Sequence, residues 1–140
     1  MKIAISGHIN LPVQAISPLR ETLTNYLQEA LSDHADLSGI SCLAPGADQL
    51  FAEVCHSLQI PYKAVLPCQD YSDQISDQKQ KTAYFSALER ATSMHRLDYS
   101  GGSSEAYWAA SEHMMADADL LIAIWNEQPA RSHGGTADVV

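Results

Sequence analysis

The chain has 140 residues, of which 46% are apolar and 18% charged, a balance typical of one globular domain and not of a disordered segment. Its formal net charge is −9 and its eight lysines and arginines are scattered, so a nucleic-acid partner is not expected. No apolar stretch approaches the roughly 18 residues of a membrane span, and the N-terminus lacks the apolar segment of a signal peptide. We therefore expect a cytoplasmic protein with no membrane partner.

Strands and helices are predicted to alternate in the first half of the chain. A short buried strand over Lys2–Ser6 ends at Gly7, and Ser17-Pro18 supplies the cap and first position of a helix that reaches Leu31. The elements predicted next are a strand over 39–44, the turn Pro45-Gly46, a helix over 47–58 and a strand over 60–66.

The second half of the chain is less regular. Residues 70–91 are polar but compatible with a helix, and Met94–Leu97 could form a short fourth strand. Ser104 is predicted to cap a helix that ends near Asp117. Residues 120–125 are apolar without alternation, which predicts a strand covered on both faces.

The end of the chain carries the sequence His133-Gly134-Gly135-Thr136, where Gly135-Thr136 is predicted to begin a further helix. The chain stops at Val140, about one helical turn later. We therefore expect one domain, residues 1–140, that is truncated at the start of its last helix.

The alternation of strands and helices implies right-handed crossovers and a parallel sheet. The predicted fold is a single doubly wound, Rossmann-like α/β domain. In such sheets, ligands bind beyond the carboxyl ends of the strands, where the strand order switches. This rule selects four loops: Ser6-Gly7-His8, residues 45–48, residues 67–71, and the segment from Trp125 to Thr136.

Glycines in three of these loops predict a ligand site. A phosphate can approach backbone N–H groups where no Cβ intervenes, as at Gly7, Gly46 and Gly134-Gly135. Thr136 would add a hydroxyl donor at a helix N-terminus, and Asp48 could accept hydrogen bonds from ribose hydroxyls. The alternative for each glycine is a simple turn, and Asp48 could instead cap its own helix.

Several other residues have two interpretations. His8 could contact a ligand or lie at the surface, and Trp125 could stack on a base or belong to the core. Glu112 could face a ligand or solvent. Met114 and Met115 could pack internally or form an apolar interface of a homo-oligomer. The three cysteines form no C-x-x-C pair, so reduced thiols are expected and no metal is predicted.

Four segments together resemble the SLOG superfamily, which includes the DNA-processing protein DprA, the cytokinin-activating LOG proteins and many bacterial sensor domains. These segments are GHINLP, LAPGADQLFAEVC, IPYKAVLPCQDY and DADLLIAIWNEQPARSHGGTADVV. The likeness extends over nearly the whole chain in the family's order, and the sensor-type members resemble it most. It implies a Rossmann-like domain that binds a nucleoside phosphate, an ADP-ribose-type molecule or a cyclic nucleotide, with no other cofactor.

The resemblance also assigns roles to individual positions. It implies a first ligand loop at Gly7 and His8, a second at Gly46, Ala47 and Asp48, and a phosphate site at Gly134, Gly135 and Thr136. LOG proteins carry PGGxGTxxE, in which the glutamate serves the chemistry, whereas here Val139 stands three residues after the threonine. This difference favours binding or sensing, with the signal passed to a homo-oligomer or a fused effector domain.

The alternative function is cleavage or transfer at the N-glycosidic bond of a nucleoside monophosphate. Such a reaction passes through an oxocarbenium-like state that a nearby carboxylate stabilises. The candidate carboxylates are Asp138, Asp48 and Glu112.

Overall fold

The computed structural model describes residues 1–125 of the chain. In this range the strands are β1 (Lys2–Gly7), β2 (Ser38–Ser41), β3 (Tyr62–Leu66), β4 (Ser93–Arg96) and β5 (Leu120–Ile124). The helices are α1 (Val13–Asp33), α2 (Ala47–Ser57), a short 3₁₀ helix (Tyr71–Gln74), α3 (Gln78–Arg90) and α4 (Ser104–Asp117). None of these helices is long and apolar enough to cross a membrane.

The five strands form one sheet in the order β4-β3-β2-β1-β5, and every neighbouring pair is parallel. The chain proceeds from β1 outward to β4, so right-handed crossovers place α1, α2 and α3 on one face. It then returns through α4 to the far side of β1, which places α4 on the opposite face. This topology confirms the predicted α/β fold and puts the switch in strand order between β1 and β5.

Alternate residues of β1 contribute to two different cores. Ile3 and Ile5 belong to a cluster of 20 buried residues that joins the sheet to the helices of the first face. Ala4 belongs to a cluster of five buried residues on the α4 face, completed by Ile40, Val65, Ala110 and Met114. Within residues 1–125, the first face is therefore thickly packed and the second face is thin.

The start of α1 differs from the prediction. The helix begins at Val13, with Pro12 at the N-cap, and Pro18 lies inside the helix. Pro18 cannot donate a hydrogen bond to the carbonyl of Gln14, but both residues are exposed, so water can bond that carbonyl instead. On a solvent-facing side of a helix an interior proline is tolerated, and the preference for proline at the first helical position was misleading here.

Two other predicted helix starts are displaced. Residues 70–91 form the 3₁₀ helix and then α3, whose N-cap Asp77 accepts a hydrogen bond from the Gln80 N–H. Ser103, and not Ser104, caps α4, because its hydroxyl accepts from an N–H in the first turn. Both caps are side chains that bond the third residue further along, as is usual at helix N-termini.

The environment of β5 also differs from the prediction. The strand exists as expected, but Leu120 is 38% exposed and the remaining residues are half-buried or exposed. Within the described residues β5 pairs with β1 alone, so it is an edge strand there. The predicted helix start at Gly135-Thr136 lies outside the described residues.

Candidate ligand site

A cavity of about 390 Å³ opens at the carboxyl ends of β1, β2 and β3. Ser6 and Gly7 of β1 line it, together with Asp48 from the start of α2. The 3₁₀ helix contributes Tyr71 and α4 contributes Tyr107. The cavity therefore lies where the strand-end rule predicts a ligand, and elements from both faces of the sheet enclose it.

The β2–α2 loop forms one side of the cavity. It is a tight turn held by hydrogen bonds to adjoining residues of β2 and α2. Leu43 has a φ of 59°, in the left-handed region that bulky residues rarely adopt. Its N–H donates to Ser41 Oγ (3.1 Å), and its carbonyl accepts from Gln49 Nε2 (3.2 Å). The Ala44 N–H donates to Asp48 Oδ2 at 3.4 Å. These contacts explain why the predicted strand over 39–44 ends early, since the chain must leave the sheet to enter the turn.

Gly7 and Gly46 allow the first two predicted ligand loops to pack against each other. Gly46 has a φ of +93°, and a Cβ there would lie 2.2 Å from the Ile9 carbonyl oxygen and 2.4 Å from that of His8. A Cβ on Gly7 would lie 2.3 Å from the Ala47 Cβ. Both glycines are thus required by contacts within the protein.

Backbone donors of the same loops are engaged within the protein. The His8 N–H donates to the Ile124 carbonyl and the Ala47 N–H donates to the His8 carbonyl, both at 3.2 Å. The N–H groups of Gln49 and Leu50 donate to the preceding loop at 3.2 and 3.0 Å. Ala47 is fully buried, so it supports Gly7 and does not reach the cavity. The first turn of α2 therefore has few donors left for a phosphate.

Asp48 is the predicted carboxylate that the fold brings into the cavity. It is 8% exposed, and burial raises its pKa to about 7, against a smaller lowering by the Ala44 N–H. The Cys42 thiol lines the same cavity, and burial first, then the charge of Asp48, raises its pKa. Asp48 does not cap α2, whose N-cap is Gly46. Near neutral pH its carboxyl can therefore either accept or donate a hydrogen bond.

Two tyrosines that sequence reasoning did not assign to the site also line the cavity. The rings of Tyr71 and Tyr107 meet edge to face with centroids 6.3 Å apart. Burial and then the charge of Asp48 raise the pKa of Tyr71 well above its usual value, and burial first raises the pKa of Tyr107. Both hydroxyls are therefore protonated donors at neutral pH. The available signal was the position of Tyr71 in the selected loop 67–71.

Of the other predicted residues within 1–125, Glu112 and Trp125 do not line this cavity, whereas Met114 does. Glu112 is exposed on α4, although the preceding residue, Ser111, lines the cavity. Trp125 is half-buried after β5 and is not among the residues of the cavity lining within 1–125. Met114 is buried in the α4-face cluster, whereas Met115 is 36% exposed. The candidates that lie outside the described residues are Gly134, Gly135, Thr136 and Asp138.

The fold and the cavity define a doubly wound α/β domain with a pocket at its strand ends, and two solved structures share this fold. DprA from Streptococcus pneumoniae aligns with a TM-score of 0.62 at 17% identity, over 95% of this chain and 44% of its own. TM1055, a structural genomics target, aligns with a TM-score of 0.56 at 14% identity, over 88% of this chain and 59% of its own.

The chain thus spans about half the length of these two proteins. No family model matches the chain, and no curated protein does so. The likeness to these two structures shows a shared fold and confirms the predicted Rossmann-like architecture.

Proposed function

We propose that this chain binds a nucleotide or nucleotide-derived ligand in the cavity at the strand ends. The observation that carries the proposal is the convergence of Ser6, Asp48, Tyr71 and Tyr107 on one space of about 390 Å³. Cavities of about 300–1,000 Å³ with a few fixed polar groups are typical of small-molecule sites. The resemblance to a nucleotide-binding superfamily, whose fold this chain has, supports a nucleotide as the ligand.

The described part of the cavity suits the uncharged part of such a ligand. Its lining within residues 1–125 includes no lysine or arginine, and Asp48 is the one acidic group there. A carboxylate accepts hydrogen bonds from ribose hydroxyls, and tyrosine rings offer contact surface for a base. A phosphate would be repelled by Asp48, so we assign it to Gly134, Gly135 and Thr136, as the sequence predicts.

A thermal-shift panel with AMP, ADP, ATP, NAD, ADP-ribose and cyclic nucleotides tests the proposal. A ligand at about one hundred times its dissociation constant adds about 2.7 kcal/mol of stability. In a domain of this size, each kcal/mol of added stability raises the midpoint of thermal unfolding by about 3 °C. Gly135→Asp should abolish the shift and Asp48→Asn should reduce it, while Asp98→Asn, at an exposed loop aspartate, serves as the matched control. No shift with any ligand, or equal shifts in all variants, would contradict the proposal.

Proton release provides a second test that is specific to Asp48. A ribose hydroxyl that donates to its carboxylate favours the charged form, so binding lowers the pKa and releases up to about half a proton at pH 7, where the free carboxyl is half protonated. Titration calorimetry in two buffers of different ionisation enthalpy measures this release. The Asp48→Asn protein should bind the ligand without releasing a proton. An unchanged proton release in that variant would exclude Asp48 as the ribose acceptor.

A second candidate function is cleavage of an N-glycosidic bond, favoured by the position of Asp48 in the cavity and its pKa of about 7. In such a reaction, water would attack the anomeric carbon as the C–N bond breaks, and a protonated Asp48 would give its proton to the departing base. The proton lost by the attacking water would then return to the Asp48 carboxylate. Chromatography of free base after incubation with nucleoside monophosphates tests this function. Release that persists in the Asp48→Asn protein would contradict the role of Asp48, and no release from any nucleotide would contradict the activity.

A further inference from the structure

A second polar cluster lies on the α4 face, away from the cavity lining. The rings of His95 in β4 and His113 in α4 stack with centroids 4.2 Å apart and planes 2° apart. Lys63 Nζ, from β3, lies 3.4 Å from His113 Nε2. These two contacts therefore join α4 to β4 and to β3.

Ion pairs continue this row to β1. Lys63 Nζ lies 3.9 Å from Asp117 Oδ2, and Asp117 Oδ1 lies 2.8 Å from Lys2 Nζ. The hydrogen bond to Lys2 is the main reason that the pKa of Asp117 is lowered. While both imidazoles are neutral, the row holds two ammonium groups and one carboxylate, and each ammonium group has a partner of opposite charge or a ring nitrogen acceptor.

The arrangement requires a neutral His113. Its Nε2 must accept from the Lys63 ammonium, so the ring proton is assigned to Nδ1. A charge on this ring would face Lys63 and His95, and Asp117 already pairs with two lysines. Consistently, burial first, then His95 and Lys63, lowers the pKa of His113, and Asp117 opposes them only in part. The stabilisation is thus present above the ordinary histidine pKa of about 6.5 and is lost as pH falls through the folded value.

The helix held by this row is thinly anchored elsewhere. Within residues 1–125, the α4-face cluster has five buried members, and α4 supplies Ala110 and Met114. The same helix supplies Tyr107 and Ser111 to the cavity. Any change in how α4 sits on the sheet therefore changes a wall of the cavity.

We propose that the His95–His113 stack is a pH-responsive contact through which acidification detaches α4 from the sheet and opens one wall of the cavity. Detachment is a property of the free protein and does not depend on the identity of a ligand. A result that contradicts the detachment of α4 can therefore be distinguished from a result that contradicts ligand binding.

Hydrogen exchange of the ligand-free protein at about pH 8 and about pH 5, corrected for intrinsic exchange rates, tests the proposal. We expect amide protection in α4 to fall severalfold more than in α1 and α2, because protonated His113 can no longer accept the hydrogen bond from Lys63. His113→Gln keeps an acceptor for Lys63 but cannot be protonated, so it should remove the additional loss of amide protection in α4 at about pH 5. His56→Gln, at an exposed position of α2, is the matched control and should leave it unchanged.

His95→Gln is a second variant that keeps the proposal testable if His113→Gln packs poorly. It removes the imidazole that stacks on His113 and lowers the pKa of His113, so it should reduce the acid-induced loss of protection. An equal loss in the wild type and in both variants, or a loss spread evenly over all helices, would overturn the proposal.

Discussion

The two faces of the sheet are stabilised by different kinds of contact. Within residues 1–125, the face of α1, α2 and α3 carries a cluster of 20 buried residues, whereas the cluster on the α4 face has five and is flanked by the polar row from Lys2 to His95. Burial of apolar surface contributes about 25 cal/mol per Å² and is insensitive to pH, whereas contacts of histidines are not. We infer that the first face determines whether the chain folds, and that the second determines how the cavity wall is positioned.

The largest expected loss of stability follows a substitution on the thickly packed face, that of α1, α2 and α3. Phe51 is fully buried, and its ring lies so close to Gly39 that a Cβ there would be 2.8 Å away. Phe51→Ala should lower the free energy of unfolding by about 4 kcal/mol, measured by urea denaturation. Phe85→Ala, at a residue that is 51% exposed, should cost less than about 1 kcal/mol. Similar losses in the two variants would refute the assignment of the main core to this face.

The next effect tests the contact between the two loops at the strand ends. Gly46→Ala places a Cβ 2.2 Å from the Ile9 carbonyl oxygen, at a φ of +93°. We expect a loss of about 3 kcal/mol in the free energy of unfolding, because the backbone is strained and the loops must separate. At Gly101 a Cβ would meet nothing within 4 Å, so Gly101→Ala is the control and should be nearly neutral. A stable Gly46→Ala protein would contradict the close packing of the loops.

The same loops show how far the sequence was informative. Alternating strands and helices predicted the α/β fold, and a cavity lies at the edge of the sheet that the strand-end rule selects. The role of Gly46 was not visible, because the carbonyl oxygens that exclude a Cβ belong to His8 and Ile9, far away in the chain. Within residues 1–125, β5 is more exposed than predicted, since an unbroken apolar run does not reveal whether a strand is central or at an edge.

On the thin face, Met114→Ala should have a smaller and more local effect. Met114 is 2% exposed and is one of five residues in its cluster, so we expect a loss of about 2.5 kcal/mol. Hydrogen exchange should show the loss of protection mainly in α4. Met115→Ala, at the neighbouring methionine that is 36% exposed, is the control and should cost little. Loss of protection throughout the sheet would mean that the two faces are not independent.

Asp48 lines the cavity at the strand ends, and the pH dependence of its contribution to stability should be opposite in sign to that of His113. Its pKa is raised from 3.8 to about 7, so the folded state binds more protons in that interval and stability falls as pH rises through it. Such a shift corresponds to at most about 4 kcal/mol in the free energy of unfolding. Because the carboxyl opens onto the cavity, we expect Asp48→Asn to raise the free energy of unfolding by only about 1.5 kcal/mol at about pH 8. Denaturant titrations over pH measure the gain, and Asp98→Asn, at an exposed aspartate, should show none.

The Asp48→Asn protein also isolates the contribution of the histidine stack. In the wild type, acidification from about pH 7 to about pH 5 stabilises through Asp48 and destabilises through His113, so the two effects partly cancel. Removing the aspartate should therefore make the loss of stability on acidification steeper, and adding His113→Gln should make it shallow again. If the free energy of unfolding has the same slope against pH in the single and double variants, the α4 face does not respond to pH through His113. The difference between the two faces is then one of packing alone.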